Sequence, residues 1–382
     1  MKKSIYYWSP CLTKVGTVKS TLNSAISVAK YSKEYEVKIL DVFGEWTPYK
    51  EYLSNNGVEV EKLTFNYHKF LPKNGFFKSR LSYLIIILVS IFPLIFFLKR
   101  KKPNYLIIHL ITFLPLLLFN FLKLQTKLIL RISGYPKLNI LRKKLWKISE
   151  KKIFKITCPT SALVNDLEKI FKLKKIKLLS DAIINIKEFS KKKYIDWDLK
   201  PEKSKGDFFL AAGRFTKQKN FIYLIREFKK FSVQYPNEKL IILGEGELRD
   251  KMFHEIKKLR LNNNIKILSY TNNIYSYMRA SKAFILSSLW EEVGFVIVEA
   301  ALSNCFVISS NCNNGPKEFL MNGKAGILFE NNLDDKLFEG LKKFQNLEKN
   351  DLSQKKLSAK KNCIKFTMFH HFLNLKKIIQ NP

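Results

Sequence analysis

The chain has 382 residues, of which 46% are hydrophobic and 14% aromatic, so it can bury two ordinary globular cores. This composition excludes an intrinsically disordered chain. The formal net charge of +36, from 68 Lys and Arg against 32 Asp and Glu, favours an acidic partner such as nucleic acid, an anionic membrane or a phosphorylated substrate. An AT-rich genome also raises the lysine content, so the charge alone does not choose among these partners.

The five cysteines lack the spacing of a zinc site or a disulfide framework. Their number is odd and no pair is spaced C-x-x-C, so we expect reduced thiols in a cytoplasmic protein. The apolar run before Pro10 is only about four residues long, which predicts a first strand rather than a signal peptide. The triplet Asp196-Trp197-Asp198 is of the kind that holds a divalent metal, but it does not close an apolar strand, and we expect no metal there.

Strands and helices alternate in the first part of the chain, which predicts a parallel, doubly wound α/β sheet. A first helix is expected at 18–31 and a basic helix at 141–154. The loop around Gly16 lies between the first strand and the first helix, where such sheets receive phosphate groups. The predicted strands span 5–8, 37–42, 58–63, 128–132 and 176–179, and the segment 156–161 is expected to hold a strand and then a helix start capped by Ser161.

No Asp or Glu occurs from 62 to 149, whereas 17 Lys and Arg do. Two uncharged apolar runs in this region, 81–98 and 105–122, are each about as long as a bilayer-spanning segment. Three interpretations are open: a transmembrane hairpin, a wholly soluble helix–strand–helix, and a helix–strand–helix whose helices present apolar and basic surface to a membrane. We favour the third, because a solvated basic face normally carries some acids and anionic lipids attract Lys and Arg.

A polar stretch at 191–206 predicts a linker, after which the alternation of strands and helices restarts. The linker separates an N-terminal domain, 1–190, from a C-terminal domain, 207–364. The last segment, 365–382, is expected to be a helix that crosses back onto the first domain. The predicted strands of the second domain span 208–212, 239–243, 265–268, 283–286, 305–309 and 326–329.

Two loops that follow predicted strands of the second domain carry charged side chains. Arg214 and Lys219 lie five positions apart in one loop, where a guanidinium fork and a point charge suit a diphosphate. In the stretch 287–300, Glu291 precedes a predicted helix that starts near Val293, and Glu299 lies inside that helix. Free N–H groups at the helix start favour an anion or hydroxyl ligand, although the helix dipole alone also explains an acid pair there.

Three motifs in this order resemble those of the retaining GT-B glycosyltransferases of family 4. They are Gly213-Arg214 with Lys219, then Gly244-Glu245-Gly246, then Glu291 with Glu299-Ala300. The resemblance is strong over about 207–330 and extends to the first domain only in architecture and in the Gly16 loop. It implies a GT-B fold, in which two Rossmann-like doubly wound domains face a central cleft.

The resemblance also assigns roles to residues of this chain. Arg214 and Lys219 would hold the diphosphate of a nucleotide-sugar donor, Glu299 the ribose hydroxyls, and Glu291 the transferred sugar. His109, after a buried strand, would lie near the reacting centre, or it is a hydrogen-bonded core histidine. The proposed catalytic residues are Glu291, His109, Arg214 and Lys219. The proposed donor-binding residues are Gly16, Gly213, Arg214, Lys219, Gly244, Gly294, Phe295, Val296 and Glu299.

Two departures from the family pattern bear on the expected donor site. Glu292 stands where the family often has Gly, and Val15 stands where the family often has a second Gly beside Gly16. The first departure predicts a narrowed choice of sugar, and the second weakens the expected contact between Gly16 and the donor.

The expected function is therefore a retaining glycosyltransferase with no metal or other cofactor. It would move a sugar from a UDP- or GDP-type donor to a lipid-linked or cell-surface polysaccharide acceptor, as a peripheral protein at the cytoplasmic membrane face. Catalysis would depend on positioning and on stabilising the departing diphosphate. Two alternatives are a nucleotide-sugar epimerase or sugar phosphorylase of the same fold, and a basic nucleic-acid-binding protein. The sequence shows no nucleic-acid recognition module, so no specific nucleic acid is expected.

Overall fold

A computed structural model describes residues 2–13, 16–72, 76–136, 139–171, 175–194, 207–271, 273–312 and 314–381. The chain divides into two compact units. Unit 1 contains Met1–Ile183 and Thr367–Pro382, and unit 2 contains Ile184–Phe366. Most of the expected linker, including Asp196-Trp197-Asp198, lies outside the described residues.

Unit 1 contains a seven-stranded sheet in which every strand pair is parallel, with the order β3-β2-β1-β4-β5-β6-β7. The first strand pairs with two others that are distant in sequence, since Ile5 lies opposite both Val37 and Tyr105. The strands are β1 (Lys3–Trp8), β2 (Tyr35–Asp41), β3 (Glu59–Lys62), β4 (Tyr105–Ile108), β5 (Lys127–Arg131), β6 (Ile153–Cys158) and β7 (Ile176–Leu178). The order reverses direction between β1 and β4, which confirms the doubly wound sheet expected for the first domain.

Helices cover both faces of this sheet. Alternate side chains of β1 point to opposite faces, so Tyr6 and Trp8 belong to one buried cluster and Ile5 and Tyr7 to another. The helices of unit 1 are α1 (Gly16–Tyr31), α2 (Lys50–Ser54), α3 (Phe76–Lys101), α4 (Phe113–Phe121), α5 (Ile140–Ser149), α6 (Ser161–Phe171) and, from the end of the chain, α15 (Met368–Gln380). Helix α15 packs against α1.

The two apolar runs form a helix, a buried strand and a second helix. The first run lies in α3, which contains Pro93, and the second is divided between β4 and α4. Among the described residues, one helix, Phe77–Lys101, is long and apolar enough to cross a membrane. One third of its most apolar window is nevertheless buried inside the protein.

The expected helix at 141–154 is wrong at its C-terminal end. Helix α5 ends at Ser149, a short 3₁₀ turn spans Glu150–Lys152, and β6 begins at Ile153. Ile153 pairs with Leu128 of the neighbouring strand and is buried, so sheet pairing prevails over the continued helical pattern.

Unit 2 contains a six-stranded parallel sheet with the order β10-β9-β8-β11-β12-β13. Its first four strands have the expected bounds, because each is a mainly apolar run, and those of β8 and β11 are uninterrupted. The strands are β8 (Phe208–Ala212), β9 (Lys239–Leu243), β10 (Ile265–Leu268), β11 (Ala283–Leu286), β12 (Phe306–Ser310) and β13 (Ile327–Phe329). The helices are α7 (Ile186–Tyr194), α8 (Phe221–Gln234), α9 (Arg249–Lys258), α10 (Ile274–Ala280), α11 (Phe295–Leu302), α12 (Gly315–Phe319), α13 (Lys336–Gln345) and α14 (Lys349–Asn362).

Candidate functional site

Three loops of unit 2 meet at the carboxyl edge of its sheet. Strands β9, β8 and β11 are neighbours, and the loops that follow them begin at Gly244, Gly213 and Ser287. Because the strands are parallel, their carboxyl ends lie at the same edge, which is where doubly wound sheets bind ligands. The three sequence motifs are therefore brought together by the fold.

The turn after β9 packs directly against the loop after β8. A Cβ atom on Gly244 would lie 1.9 Å from the Gly213 carbonyl oxygen, and one on Gly246 would lie 2.7 Å from the Phe215 backbone nitrogen. The Phe215 N–H donates to the Glu245 carbonyl at 2.7 Å, which ties the two loops together. The two glycines of this motif thus allow a close backbone approach that fixes the position of the loop carrying Arg214.

Lys219 and Glu291 form an ion pair that joins the loops after β8 and β11. The Lys219 Nζ atom lies 2.5 Å from the Glu291 Oε1 atom, and the two side chains are only 13% and 9% exposed. The Ser288 hydroxyl donates to the same carboxylate oxygen at 2.7 Å, and the Ser287 hydroxyl donates to the Lys219 carbonyl at 2.8 Å. A cation predicted to bind diphosphate and a carboxylate predicted to face the sugar therefore lie in direct contact.

The side chain of Arg214 is exposed. It forms no hydrogen bond or ion pair with any residue in the described part of the chain. It lies one residue after Gly213 on the loop that Gly244 fixes. A guanidinium in this position can donate two parallel hydrogen bonds to an anionic ligand.

Helix α11 begins at Phe295, two residues later than the sequence indicates, because Gly294 adopts a left-handed conformation and caps it. Glu299 therefore lies about one turn inside the helix rather than two. Its side chain is buried. The backbone of Phe295 and Val296 forms the first turn, where the N–H groups of a helix have no partners within the helix.

The loop between β11 and α11 is held by residues that the sequence analysis missed. Gln218 accepts from the Leu289 N–H at 2.8 Å through its carbonyl and donates to the Trp290 carbonyl at 2.9 Å through its side chain. The Asn331 side chain donates to the Leu289 carbonyl at 2.7 Å. Gln218 could have been suspected from its place beside Lys219, but no sequence signal points to Asn331. The Trp290 side chain remains half exposed beside Glu291.

Glu292, the departure from the family pattern, also has a structural partner. The Asn314 side-chain amide donates to its Oε2 atom at 3.3 Å. This contact links the loop after β11 to the start of α12. The predicted effect of Glu292 on the choice of sugar stays a prediction.

Two predicted site residues belong to unit 1 rather than unit 2. Gly16 is the first residue of α1 and is exposed. His109 follows β4, is buried, and its backbone N–H donates to the Trp8 carbonyl at 2.9 Å. Burial, with a smaller contribution from the Arg131 charge, lowers the pKa of His109 to about 3. Its ring is therefore neutral at ordinary pH, and its catalytic role stays a prediction.

A buried ionic cluster lies close to His109. The Arg131 guanidinium donates to the Asp181 carboxylate and to the Leu179 carbonyl, each at 2.6 Å. The Ser20 hydroxyl also donates to Asp181. Burial raises the pKa of Asp181, but the Arg131 charge and these hydrogen bonds outweigh burial and lower it. The carboxylate is therefore ionised and paired inside the protein.

His371 of α15 completes a chain of hydrogen bonds in unit 1. Its Nδ1 atom lies 2.7 Å from the Ser180 carbonyl, which only accepts, so Nδ1 carries the proton. Burial lowers the pKa of His371 to about 4, so the ring is neutral and Nε2 accepts from the Ser24 hydroxyl at 2.8 Å. Ser24 then accepts from the Tyr7 hydroxyl at 3.0 Å. This chain fastens the last helix to unit 1.

Within the described ranges, no group of three or more His, Cys, Asp or Glu side chains is arranged to hold a metal ion. The five cysteines are buried and free. Burial raises the pKa of Cys305 to about 12, so this thiol is unreactive at neutral pH.

Residues 190–362 match the model of the family "Glycosyl transferases group 1". The match covers a little under half of the chain and lies within unit 2. The matched residues include every charged residue at the carboxyl edge of the unit 2 sheet, whereas Gly16 and His109 lie outside the match. The recognition made from the three motifs is therefore confirmed at the level of the family.

The chain is also similar to individual members. It is 45% identical over 112 residues to an uncharacterized glycosyltransferase of Methanocaldococcus jannaschii, covering 29% of this chain and 28% of that protein. It is also similar to the N-acetylgalactosamine-N,N'-diacetylbacillosaminyl-diphospho-undecaprenol 4-alpha-N-acetylgalactosaminyltransferase of Campylobacter jejuni. The identity is 28% over 228 residues, which cover 57% of this chain and 60% of that protein. The alignments thus span less than two thirds of these two relatives. A second Campylobacter jejuni enzyme, GalNAc-alpha-(1->4)-GalNAc-alpha-(1->3)-diNAcBac-PP-undecaprenol alpha-1,4-N-acetyl-D-galactosaminyltransferase, is 25% identical, and the alignment covers 94% of this chain and 96% of that protein.

Solved structures show the same fold. The crystal structure of a glycosyltransferase from Rickettsia africae matches with a TM-score of 0.74 at 18% identity, and covers the whole of both chains. The Anabaena protein HepE, crystallised with UDP and glucose, matches with a TM-score of 0.71 at 13% identity, also over the whole of both chains. Together with the two parallel sheets, these matches confirm the GT-B fold class. At this identity they show the fold alone.

Proposed function

We propose that this protein is a retaining glycosyltransferase that uses a UDP- or GDP-type nucleotide-sugar donor. The observation that carries the proposal is the carboxyl edge of the unit 2 sheet, where Arg214, Lys219, Glu291 and Glu299 are presented by adjacent loops and α11. These residues include two cations that suit an anionic diphosphate and two carboxylates that suit sugar hydroxyl groups, so together they complement a nucleotide-sugar.

This geometry supports a specific arrangement for the donor. Arg214 would bind the diphosphate from the exposed side of its loop, while the N-terminus of α11 would contribute backbone N–H groups. The diphosphate would compete with Glu291 for Lys219, since these two side chains form an ion pair. Binding would therefore release the Glu291 carboxylate towards the sugar as Lys219 turns to the phosphate. Charge stabilisation of the leaving diphosphate would supply most of the rate enhancement.

The acceptor is proposed to be a lipid-linked or cell-surface glycan at the cytoplasmic membrane face. Two Campylobacter relatives are named for transfer to undecaprenol-diphosphate-linked sugars, which supports this class of acceptor. The acid-free basic region of unit 1 supports a membrane location. We propose that no metal is required, because Arg214 and Lys219 provide the positive charge that a metal would otherwise bring to a diphosphate.

The test is a transfer assay with UDP- and GDP-sugars and a membrane extract as the acceptor, in which release of nucleoside diphosphate and labelling of glycolipid are both measured. Arg214→Ala is expected to lower kcat/KM by about 100-fold, since it removes a bidentate phosphate contact. The control is Lys257→Ala, which removes an exposed cation of α9 and should leave kcat/KM unchanged. Unchanged turnover in Arg214→Ala would refute the donor site. Donor consumption without glycolipid labelling would instead indicate an epimerase or a phosphorylase.

The anomeric configuration and the metal requirement are tested in the same assay. Retention is expected, and an NMR coupling constant of the product glycoside that shows inversion would contradict it. Activity is expected to survive EDTA, and its loss with recovery on added Mg²⁺ or Mn²⁺ would contradict the metal-free proposal.

A further inference from the structure

Helix α3 has two faces of opposite character. Its inner face is fixed in the core of unit 1, where a row spaced four apart is buried: Ser82, Ile86, Ser90, Leu94 and Leu98. Its outer face carries a second row, from 51% to 82% exposed: Phe77, Leu81, Leu84, Leu88, Phe92 and Phe96. We call this second row the outer stripe. Spacings of three and four place all six residues on one side of the helix, and the stripe follows nearly its whole length.

The outer stripe is bordered by positive charge at the end of the helix. Lys99 and Arg100 are exposed in its last turn, and the Arg100 guanidinium lies 5.5 Å from the centre of the Phe96 ring. The sequence between 62 and 149 contains no Asp or Glu. Six large apolar side chains beside exposed cations match the two layers of an anionic lipid surface, with acyl chains below and phosphate groups above.

The neighbouring helices continue this surface. Helix α4 packs against both α3 and α5, and buried residues of all three helices belong to one core cluster, so they cover the same face of the sheet. Helix α5 exposes the apolar residues Ile140, Leu141 and Ile148. Among these it also exposes four cations, Arg142, Lys143, Lys144 and Lys147. The combination of apolar and basic side chains therefore recurs on a second helix of the same layer.

The inner face of α3 argues against a spanning helix, although its length would permit one. The Phe97 ring packs edge-on against Tyr6 of β1, with ring centres 4.9 Å apart. The Ser82 hydroxyl donates to the Pro72 carbonyl at 2.7 Å, and Lys101 pairs with Glu61 of β3 at 3.4 Å. A transmembrane orientation would break these contacts and open the core of unit 1, whereas an orientation in the plane of the interface preserves them.

We propose that the outer stripe of α3, together with the exposed basic face of α5, docks unit 1 onto an anionic phospholipid bilayer without crossing it. The role of this docking rests on the proposed function, because a lipid-linked acceptor is reached from such a surface. The docking itself depends only on unit 1, so it is measured without donor or acceptor.

The experiment is co-sedimentation of the full chain with vesicles of phosphatidylcholine alone and of phosphatidylcholine with phosphatidylglycerol. Wild type is expected to bind the anionic vesicles at least about tenfold more tightly, and to be released as salt rises from about 0.1 M to about 0.5 M. Leu84→Glu with Leu88→Glu should weaken binding by at least about tenfold. The control is Val233→Glu with Phe253→Glu, which adds the same charge at exposed apolar positions of unit 2 and should bind as wild type does.

Three results would overturn the proposal. The first is equal binding to neutral and anionic vesicles. The second is unchanged binding of the stripe variant. If Lys99→Ala/Arg100→Ala loses binding while the stripe variant keeps it, the surface is purely electrostatic, such as one for nucleic acid. The third is retention of the native protein in cell membranes through an alkaline carbonate wash, which would indicate a spanning helix. Nucleoside diphosphate binding is also measured on every variant, and the stripe variant should keep this binding. If wild type itself binds no nucleoside diphosphate, the proposed function is refuted, whereas the docking result stays intact.

Discussion

Replacing Gly244 with alanine tests whether the close contact between two loops positions the candidate donor site. The Gly213 carbonyl oxygen would have to withdraw from 1.9 Å to the 3.4 Å of ordinary contact. That movement strains the hydrogen bonds from Gly213 to Leu243, at 3.0 Å, and from Phe215 to Glu245, at 2.7 Å. Each bond contributes about 1 kcal/mol. The left-handed backbone at Gly244 adds about 1 to 2 kcal/mol for any residue with a Cβ.

Gly323→Ala is the matched control. Gly323 also has a positive φ, of 91°, but its Cβ would meet no atom within 4 Å. The control should therefore lose only the backbone contribution, about 1 to 2 kcal/mol, whereas Gly244→Ala should lose about 2 kcal/mol more. Differential scanning calorimetry measures the stability of both variants. Binding is measured by titration calorimetry with the nucleoside diphosphate that wild type binds. Gly244→Ala should bind it at least about tenfold more weakly, because a shift of about 1 Å misplaces Arg214. Gly323→Ala should show none of this loss. Equal affinity in wild type and Gly244→Ala would refute the reasoning.

Two further predictions concern the buried groups of unit 1. Asp181→Asn should destabilise the protein by about 3 to 5 kcal/mol, because Arg131 would remain buried without its counterion. Denaturant unfolding measures this loss. The double variant Asp181→Asn/Arg131→Met should recover most of it. His109 and His371, with pKa values lowered to about 3 and about 4, take up protons only on unfolding when the pH is between about 6.5 and 4. Stability should therefore fall as the pH falls through that window, by at most roughly 1.4 kcal/mol per histidine per pH unit. Thermal melts should show a smaller pH dependence in His371→Gln than in wild type.

The sequence was informative where one local pattern determines the structure. Strands β8 and β11 are uninterrupted apolar runs, and their bounds follow from the sequence alone. The charged residues of unit 2 could be placed at one edge because parallel strands end together. The start of α11 was harder to locate, since it depends on the left-handed conformation of Gly294.

The interactions that could not be foreseen join residues distant in sequence. The Arg131–Asp181 pair and the bond between Ser24 and His371 each require the folded arrangement of unit 1. The contact between Lys219 and Glu291 is similar: each residue was expected at the site, but their pairing was not, because it depends on how the two loops are held. Side-chain partners are determined by packing, which the order of residues along the chain does not display.

The two points at which the chain passes between units have a practical consequence. Unit 2 begins at Ile184 and ends at Phe366, and the Ile184 N–H donates to the Phe366 carbonyl at 2.9 Å, so the first and last residues of this unit are adjacent. Unit 2 is in effect an insertion within unit 1, closed by its own ends. A cassette with these boundaries is therefore suited to exchange between related proteins, since neither junction has to span a gap. A chimera in which only this cassette is replaced would show which unit sets the choice of nucleotide and which sets the choice of acceptor.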